Sequence, residues 1–229
     1  KASNETILVT GAAGFIGANV AQALLDAGHE VVGIDSLNDY YDVDLKQYRL
    51  KPLVDHSQFS FVQGDLADAQ VVDSLFAQHE FDYVIHLAAQ AGVRYSIDNP
   101  RAYLESNIVG TFEILEAARA HPPKHMLLAS TSSAFGANTE MPYRETVKAD
   151  HQMSFYAATK KASEAMALTA EQARLRKRGR AGAVANAPID GRPPRPHNNY
   201  ALPHVPLSKA FSQKNSHVAD VGARLNLNV

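Results

Sequence analysis

The alternation of short apolar runs with amphipathic stretches predicts an α/β fold over residues 1–169: a doubly wound parallel sheet with helices on both faces. Three observations support this. The apolar runs are nearly continuous, as in strands buried on both faces. Helical periodicity fills the gaps between them. The residues with distinctive chemistry fall just after the runs, where such sheets place their ligands.

The first strand is Thr6-Ile-Leu-Val-Thr10, followed directly by a glycine. Ile16, Val20, Ala23, Leu24 and Ala27 recur at helical spacing from Phe15 to Ala27, and Gly28 is a suitable C′ stop. Glu30-Val-Val-Gly-Ile-Asp35 is the second strand, Phe59-Ser-Phe-Val-Gln63 the third and Tyr83-Val-Ile-His-Leu87 the fourth. Helical patterns occupy 68–78 and 101–120. His125-Met-Leu-Leu-Ala129 is the fifth strand, and a long helix is expected from Ser154 to about Arg178. Ligand chemistry should therefore lie just beyond Val9, Ile34, Val62, Leu87 and Ala129.

Composition narrows the class. The chain of 229 residues is 45% hydrophobic and 20% charged, which excludes a collagen, a coiled coil or a wholly disordered chain. No apolar run approaches the ~20 residues that span a bilayer, and Lys1-Ala-Ser-Asn-Glu5 has no signal-peptide pattern. With no cysteine, a disulfide framework, a thiolate metal site and a cysteine nucleophile are all excluded. The 10 histidines lack ligand spacing, so no metal is expected. A cytoplasmic location fits best. Charge is uneven: residues 1–169 carry 12 Lys/Arg against 21 Asp/Glu, whereas residues 170–229 carry 10 against 3. Six of the 11 prolines lie between Pro188 and Pro206. This shift sets a domain of 1–169 apart from an atypical basic tail of 170–229.

Gly11-Ala-Ala-Gly14-Phe-Ile-Gly17 follows the first strand and opens the first helix. These glycines allow a tight turn, close approach of a pyrophosphate and close helix packing, and the helix start presents N–H groups to phosphates. Such a turn alone would be weak evidence. Asp35, however, ends the second strand 18 residues after Gly17, where a carboxylate can accept both adenosine ribose hydroxyls and would repel a 2′-phosphate. The combination predicts a Rossmann-type NAD site, with Asp65 after the third strand as an adenine contact. Tyr156 and Lys160 are spaced i, i+4 and share a helix face. An ammonium beside a phenol favours the phenolate. The hydroxyl cluster Ser130-Thr-Ser-Ser133 ends the fifth strand, 23 residues before Tyr156.

Taken together, these pieces resemble the extended short-chain dehydrogenases/reductases, the NAD-dependent sugar-nucleotide epimerases and dehydratases. The matching segments are Thr10 to Gly17, Gly64-Asp-Leu66, His86-Leu-Ala-Ala89 and Tyr156-x-x-x-Lys160. More narrowly, Asp35-Ser-Leu-Asn-Asp-Tyr-Tyr-Asp42 with Leu45-Lys-Gln47, Ala89-Gln-Ala-Gly-Val-Arg-Tyr-Ser96, Asn107-Ile-Val-Gly-Thr111 and Gly136-Ala-Asn138 are similar to the UDP-glucuronate 4-epimerases. The resemblance covers about residues 5–169. It implies NAD contacts at Gly11, Gly14, Phe15, Ile16, Gly17, Asp35, Asn38, Asp65, Leu66, Leu87, Ala88, Ala89, Gln90 and Asn107. It also implies a catalytic set of Thr131, Tyr156 and Lys160, with Ser132 and Ser133 on the sugar carboxylate and Arg94 as a further substrate contact. The implied reaction interconverts UDP-glucuronate and UDP-galacturonate through a transient 4-keto sugar. A homodimer pairing helices 101–120 and 154–178 is the assembly implied.

The chain departs from that family pattern twice. Ala134-Phe135-Gly136 stands where Val-Tyr-Gly is usual, which removes a hydroxyl from the substrate site. After about Thr169 the family's substrate-binding segment is not recognisable. Arg174-Leu-Arg-Lys-Arg-Gly-Arg180 and Gly191-Arg-Pro-Pro-Arg-Pro196 appear instead. Truncation, a displaced reading frame and genuine divergence each account for such a tail, and a catalytically impaired NAD-binding module is one functional alternative. A nucleotide-sugar 4,6-dehydratase is the other, but that chemistry needs an ionisable pair after the catalytic Thr, where this chain has Ser132 and Ser133. Arg and Pro without interleaved aromatics argue against nucleic acid and membrane partners.

Overall fold

The computed structural model describes residues 4–144 and 146–185. Five strands form one sheet: β1 (Thr6–Thr10), β2 (Glu30–Asp35), β3 (Phe59–Gln63), β4 (Tyr83–His86) and β5 (His125–Leu128). Their order is β3-β2-β1-β4-β5, and every neighbouring pair is parallel. Leu8 lies between Val32 and Val84 in register, and Ile85 faces Leu127. The order steps outward in both directions from β1, so the chain reverses its winding between β1 and β4. A crevice opens there at the carboxyl ends. This is the Rossmann-type doubly wound sheet that the apolar runs predict.

The helices are α1 (Phe15–Asp26), α2 (Val43–Val54), α3 (Ala69–Gln78), the short α4 (Tyr95–Asp98) and α5 (Pro100–Tyr103), α6 (Gly110–Ala120) and α7 (Phe155–Ala185). On one face Leu8, Val32, Ile34 and Val84 meet Val72, Leu75 and Phe76 of α3 and Ile114 and Ala117 of α6 in a single cluster. Successive strand residues point to opposite faces, and α1 and α2 pack over the other face beside β2 and β3. Each fully buried Ile, Leu or Val there contributes roughly 1.5–3 kcal/mol of transfer free energy.

Several elements differ from what the periodicity predicts. The stretch 101–120 is helical but not uniform: α5 passes into a π-helical segment, Leu104–Val109, before α6. β4 and β5 each stop one residue earlier than expected, because Leu87 and Ala129 already turn into the crevice. α2 has no counterpart among the helical patterns of the sequence. Its buried positions are Lys46, Leu50 and Leu53, a helical spacing with a lysine in the first place. The described residues up to Leu168 form one compact unit. α7 begins within it, and the expectations for residues 186–229 lie outside the described residues. Among the described residues no helix is long and apolar enough to cross a membrane.

Candidate active site

The glycine loop after β1 is shaped by contacts that leave no room for side chains. Gly11 has φ +70°, and a Cβ there would lie 3.0 Å from the backbone of Ala88. At Gly17 a Cβ would fall 2.0 Å from the Gly11 carbonyl oxygen, so helix α1 starts in direct contact with its own loop. No side chain caps α1 and its first turn holds no acidic residue. The positive end of the helix is therefore left to a ligand.

Asp35 ends β2 with both carboxylate oxygens engaged. Oδ2 accepts the Ala13 N–H at 3.1 Å and Oδ1 the Leu37 N–H at 2.9 Å. Each oxygen has two lone pairs, so two remain for further donors. The loop that follows is held by Lys46, whose buried Nζ donates to the carbonyl oxygen and to Oδ1 of Asn38 at 2.7 and 2.8 Å. Burial pushes the Lys46 ammonium below the ordinary lysine range, against the raising effects of Asp35 and Asp39. After β3, Asp65 is exposed and accepts the Ala67 N–H, while Leu66 is buried in the core.

After β4, Leu87, Ala88, Ala89 and Gln90 form the opposite wall. Buried Asn107, in the π-helical segment, grips that wall without lining the cleft. It accepts the Gln90 N–H at 2.7 Å and donates to the Gln90 carbonyl at 3.1 Å and to Thr159 Oγ1 at 3.0 Å. Thr159 and Ser163, on the inner face of α7, complete the network, with Ser163 Oγ donating to the Asn107 carbonyl. A π-turn widens the helix by one residue and often marks a functional site; here it carries Asn107 to the wall.

α7 reaches the end of β5 through Lys160, 6% exposed, whose Nζ donates to the Ala129 carbonyl at 2.7 Å. Burial pushes this ammonium down, opposed by Glu164. One turn earlier, half-buried Tyr156 packs edge-on against the buried Tyr103 ring, centroids 5.9 Å apart. The Tyr103 hydroxyl donates to the Ala91 and Gly92 carbonyls, and its pKa is pushed up to about 12, chiefly by burial. Thr131 precedes a 3-10 turn, Ser132–Phe135, and its Oγ1 accepts the Ser133 N–H at 3.3 Å, leaving its own proton free to be donated.

These strand ends surround a cleft of about 550 Å³. Of the expected cofactor contacts, Gly11, Gly14, Phe15, Ile16, Gly17, Asp35, Asn38, Asp65, Leu66, Leu87, Ala88, Ala89 and Gln90 line it. Thr131, Ser132, Ser133, Tyr156 and Lys160 do not; Lys160 meets the lining at Ala129. Arg94 is exposed at the start of α4 and is also outside the lining. The cleft further contains Tyr40, Tyr41, Lys46 and Arg49, which residue-by-residue reading did not single out. Arg49 donates to the Tyr41 hydroxyl and lies over the Phe15 ring at 5.8 Å. Lys46 and Arg49 belong to α2, whose helical spacing is masked by the charge at position 46, and Tyr40 and Tyr41 lie in the loop before it.

The GDP-mannose 4,6 dehydratase family profile matches residues 8–175. A probable UDP-glucuronate 4-epimerase of Rhizobium meliloti (strain 1021) is 51% identical over 160 residues, covering 70% of this chain and 47% of that protein. UDP-glucuronate 4-epimerase 4 of Arabidopsis thaliana is 47% identical over 165 residues, 72% of this chain and 38% of its own length. A UDP-glucuronic acid 4-epimerase of Bacillus cereus, crystallised with UDP-glucuronic acid and NAD, superposes with a TM-score of 0.68 at 33% identity, covering 73% of this chain and 52% of that one. The chain spans about half the length, or less, of the curated relatives it matches. With the glycine loop, Asp35 and the Tyr156/Lys160 helix all inside the matched region, the chain belongs to the GDP-mannose 4,6 dehydratase family, the NAD-dependent epimerases and dehydratases among the extended short-chain dehydrogenases/reductases.

Proposed function

We propose that the chain is the cofactor-binding and catalytic part of an NAD-dependent nucleotide-sugar 4-epimerase that interconverts UDP-glucuronate and UDP-galacturonate. The observation that supports this is the hydrogen bond from Lys160 to the carbonyl of Ala129, a residue of the cleft lining, with Tyr156 one helical turn before Lys160 on α7. The residues present fit a dinucleotide. The close approach of Gly11 to Ala88 excludes side chains, the uncapped start of α1 suits a pyrophosphate, and Asp35 keeps two lone pairs for ribose hydroxyls. Bound NAD supplies the acceptor that takes a hydride from the sugar and returns it.

Tyr156 takes the proton of the sugar 4-hydroxyl as general base and gives it back after the 4-keto sugar has turned over. Lys160 stabilises negative charge on the tyrosine oxygen, and Thr131 shares the O4 proton through a short hydrogen bond while keeping its own. Ser132 and Ser133 serve the sugar carboxylate, with Arg94 as a further contact. Ser132 and Ser133 do not ionise near neutral pH, so the elimination step of a 4,6-dehydratase has no acid/base pair here. We assign residues 1–169 to NAD binding and catalysis. Residues 170–229 stand where a nucleotide-sugar domain is expected. Leu104, Phe112 and Leu168, exposed on the helices at 101–120 and on α7, support a homodimer through these faces, and the absence of cysteine supports a cytoplasmic home.

The test joins residues 1–169 to the C-terminal part of the Rhizobium meliloti relative and follows UDP-galacturonate formation from UDP-glucuronate by chromatography. The chimera should turn over, the chain alone should not, since substrate positioning supplies much of the barrier reduction. In the chimera, Tyr156→Phe should lower kcat by ~10²-fold or more with NAD binding retained. Undiminished turnover by Tyr156→Phe would overturn the mechanism.

A further inference from the structure

Beneath the cleft, its two walls are joined by a buried chain of hydrogen bonds that the proposed chemistry does not use. Thr10 ends β1, His86 ends β4 and Thr111 lies in the first turn of α6; they are 0%, 3% and 2% exposed. Thr10 Oγ1 accepts the N–H groups of Leu87 and Ala88, both at 3.0 Å. It also lies 2.8 Å from His86 Nδ1, and His86 Nε2 lies 3.1 Å from Thr111 Oγ1.

The proton order follows from donor and acceptor counts. A hydroxyl has one proton and two lone pairs. The two amides occupy both lone pairs of Thr10, so its proton must point at His86 Nδ1, and that nitrogen must be bare. A neutral imidazole then carries its proton on Nε2 and donates it to Thr111. A charged ring would place a second proton on Nδ1, facing an oxygen with no lone pair left. Burial and the Lys160 ammonium both disfavour that charge.

We propose that His86 is a positioning residue, fixed as the neutral Nε2–H tautomer, which through Thr10 sets the Leu87–Ala88 wall against the glycine loop and through Thr111 ties that wall to α6. The position of the wall matters because the glycine loop lies so close to it that a Cβ at Gly11 would fall 3.0 Å from the Ala88 backbone. A wall displaced by a few tenths of an ångström changes the width of the cleft where the cofactor is proposed to bind. The tautomer assignment stands on this chain's own hydrogen bonds; only the consequence for binding rests on the NAD reading.

The first measurement is a long-range nitrogen–proton NMR correlation of the histidine rings in the whole chain, with His86 assigned by its loss in His86→Asn. His86 should show a bare Nδ1 and a protonated Nε2, unchanged from neutral pH to about pH 5. A protonated Nδ1 at neutral pH overturns the proposal. The second measurement is NAD affinity by calorimetry. His86→Leu removes both contacts and should weaken binding by about fivefold or more, the scale of unpaired buried partners. His86→Asn keeps an acceptor near the Nδ1 position and should stay within about twofold of the parent. An equal loss in both, at matched thermal stability, refutes the positioning role. If the parent chain binds no NAD, the cofactor reading fails while the tautomer result still decides the ring's role.

Discussion

Lowering the pH should expose His86 as a source of acid instability, and the size can be worked out from its burial. Burial, aided by Lys160, depresses its pKa from 6.5 to about 3 in the folded chain. The unfolded chain therefore binds the proton first, and unfolding gains free energy once the pH falls below about 6.5. The stability contributed by the neutral ring is complete above that value and is lost progressively as the pH falls toward about 3. Over the whole window the linkage amounts to about 4–5 kcal/mol, at 1.36 kcal/mol per pH unit. By about pH 5 some 2 kcal/mol should already be gone, a large share of the ~5–15 kcal/mol that holds a domain together. The assay is urea unfolding of the parent and His86→Asn at about pH 7 and pH 5, compared through midpoint and slope. Carboxylates such as Asp82, whose pKa is lowered and which bonds to Lys124 and the Thr6 amide, lose stability in the same direction in both proteins and cancel in the comparison. The parent should lose about 2 kcal/mol more than the variant between the two conditions. Parallel losses would show that the buried ring is not the acid-sensitive element and would refute the reasoning.

The loop and the carboxylate make two further expectations. Gly17→Ala puts a methyl group 2.0 Å from the Gly11 carbonyl oxygen, so backbone must move; a loss of ~1–3 kcal/mol in thermal unfolding is expected, together with NAD affinity, and a variant matching the parent in both would disprove the contact. Asp35→Ala leaves the Ala13 and Leu37 amides without their acceptor and deprives the ribose of its own. NAD binding should weaken by ~1–3 kcal/mol and the preference over NADP should shrink, whereas an unchanged NAD/NADP ratio by calorimetry would remove Asp35 from the ribose site.

The strands were legible because parallel strands buried on both faces leave a composition signal, as Ile7-Leu-Val9 and Val31-Val32 do. The cleft lining was legible for a related reason: its backbone-tight positions must be glycine or alanine. What escaped were places where buried polar groups replace apolar ones. α2 reads as a loop because its first buried position is Lys46, satisfied by Asn38, and because Pro52 falls in its last turn. His86 is visible within a motif, but its partners Thr10 and Thr111 lie 76 and 25 residues away, brought together only by the sheet. The π-helical segment leaves no compositional trace, since it is a change in hydrogen-bond span and not in residue type.

That segment also constrains how the length of this chain can vary. A π-turn is an α-helix carrying one residue more than its ladder needs. Deleting any one residue between Leu104 and Val109 would let the helix from α5 to α6 close a regular ladder, which taken alone is an improvement. Each residue turns an α-helix by about 100°, so the deletion would swing everything before it by that angle. Tyr103 would leave Ala91, Gly92 and the Tyr156 ring together, while Ile114 stayed in the core. Substitutions on the exposed positions of this stretch, such as Glu105, should be tolerated, whereas single-residue deletions should not, although they make a better helix.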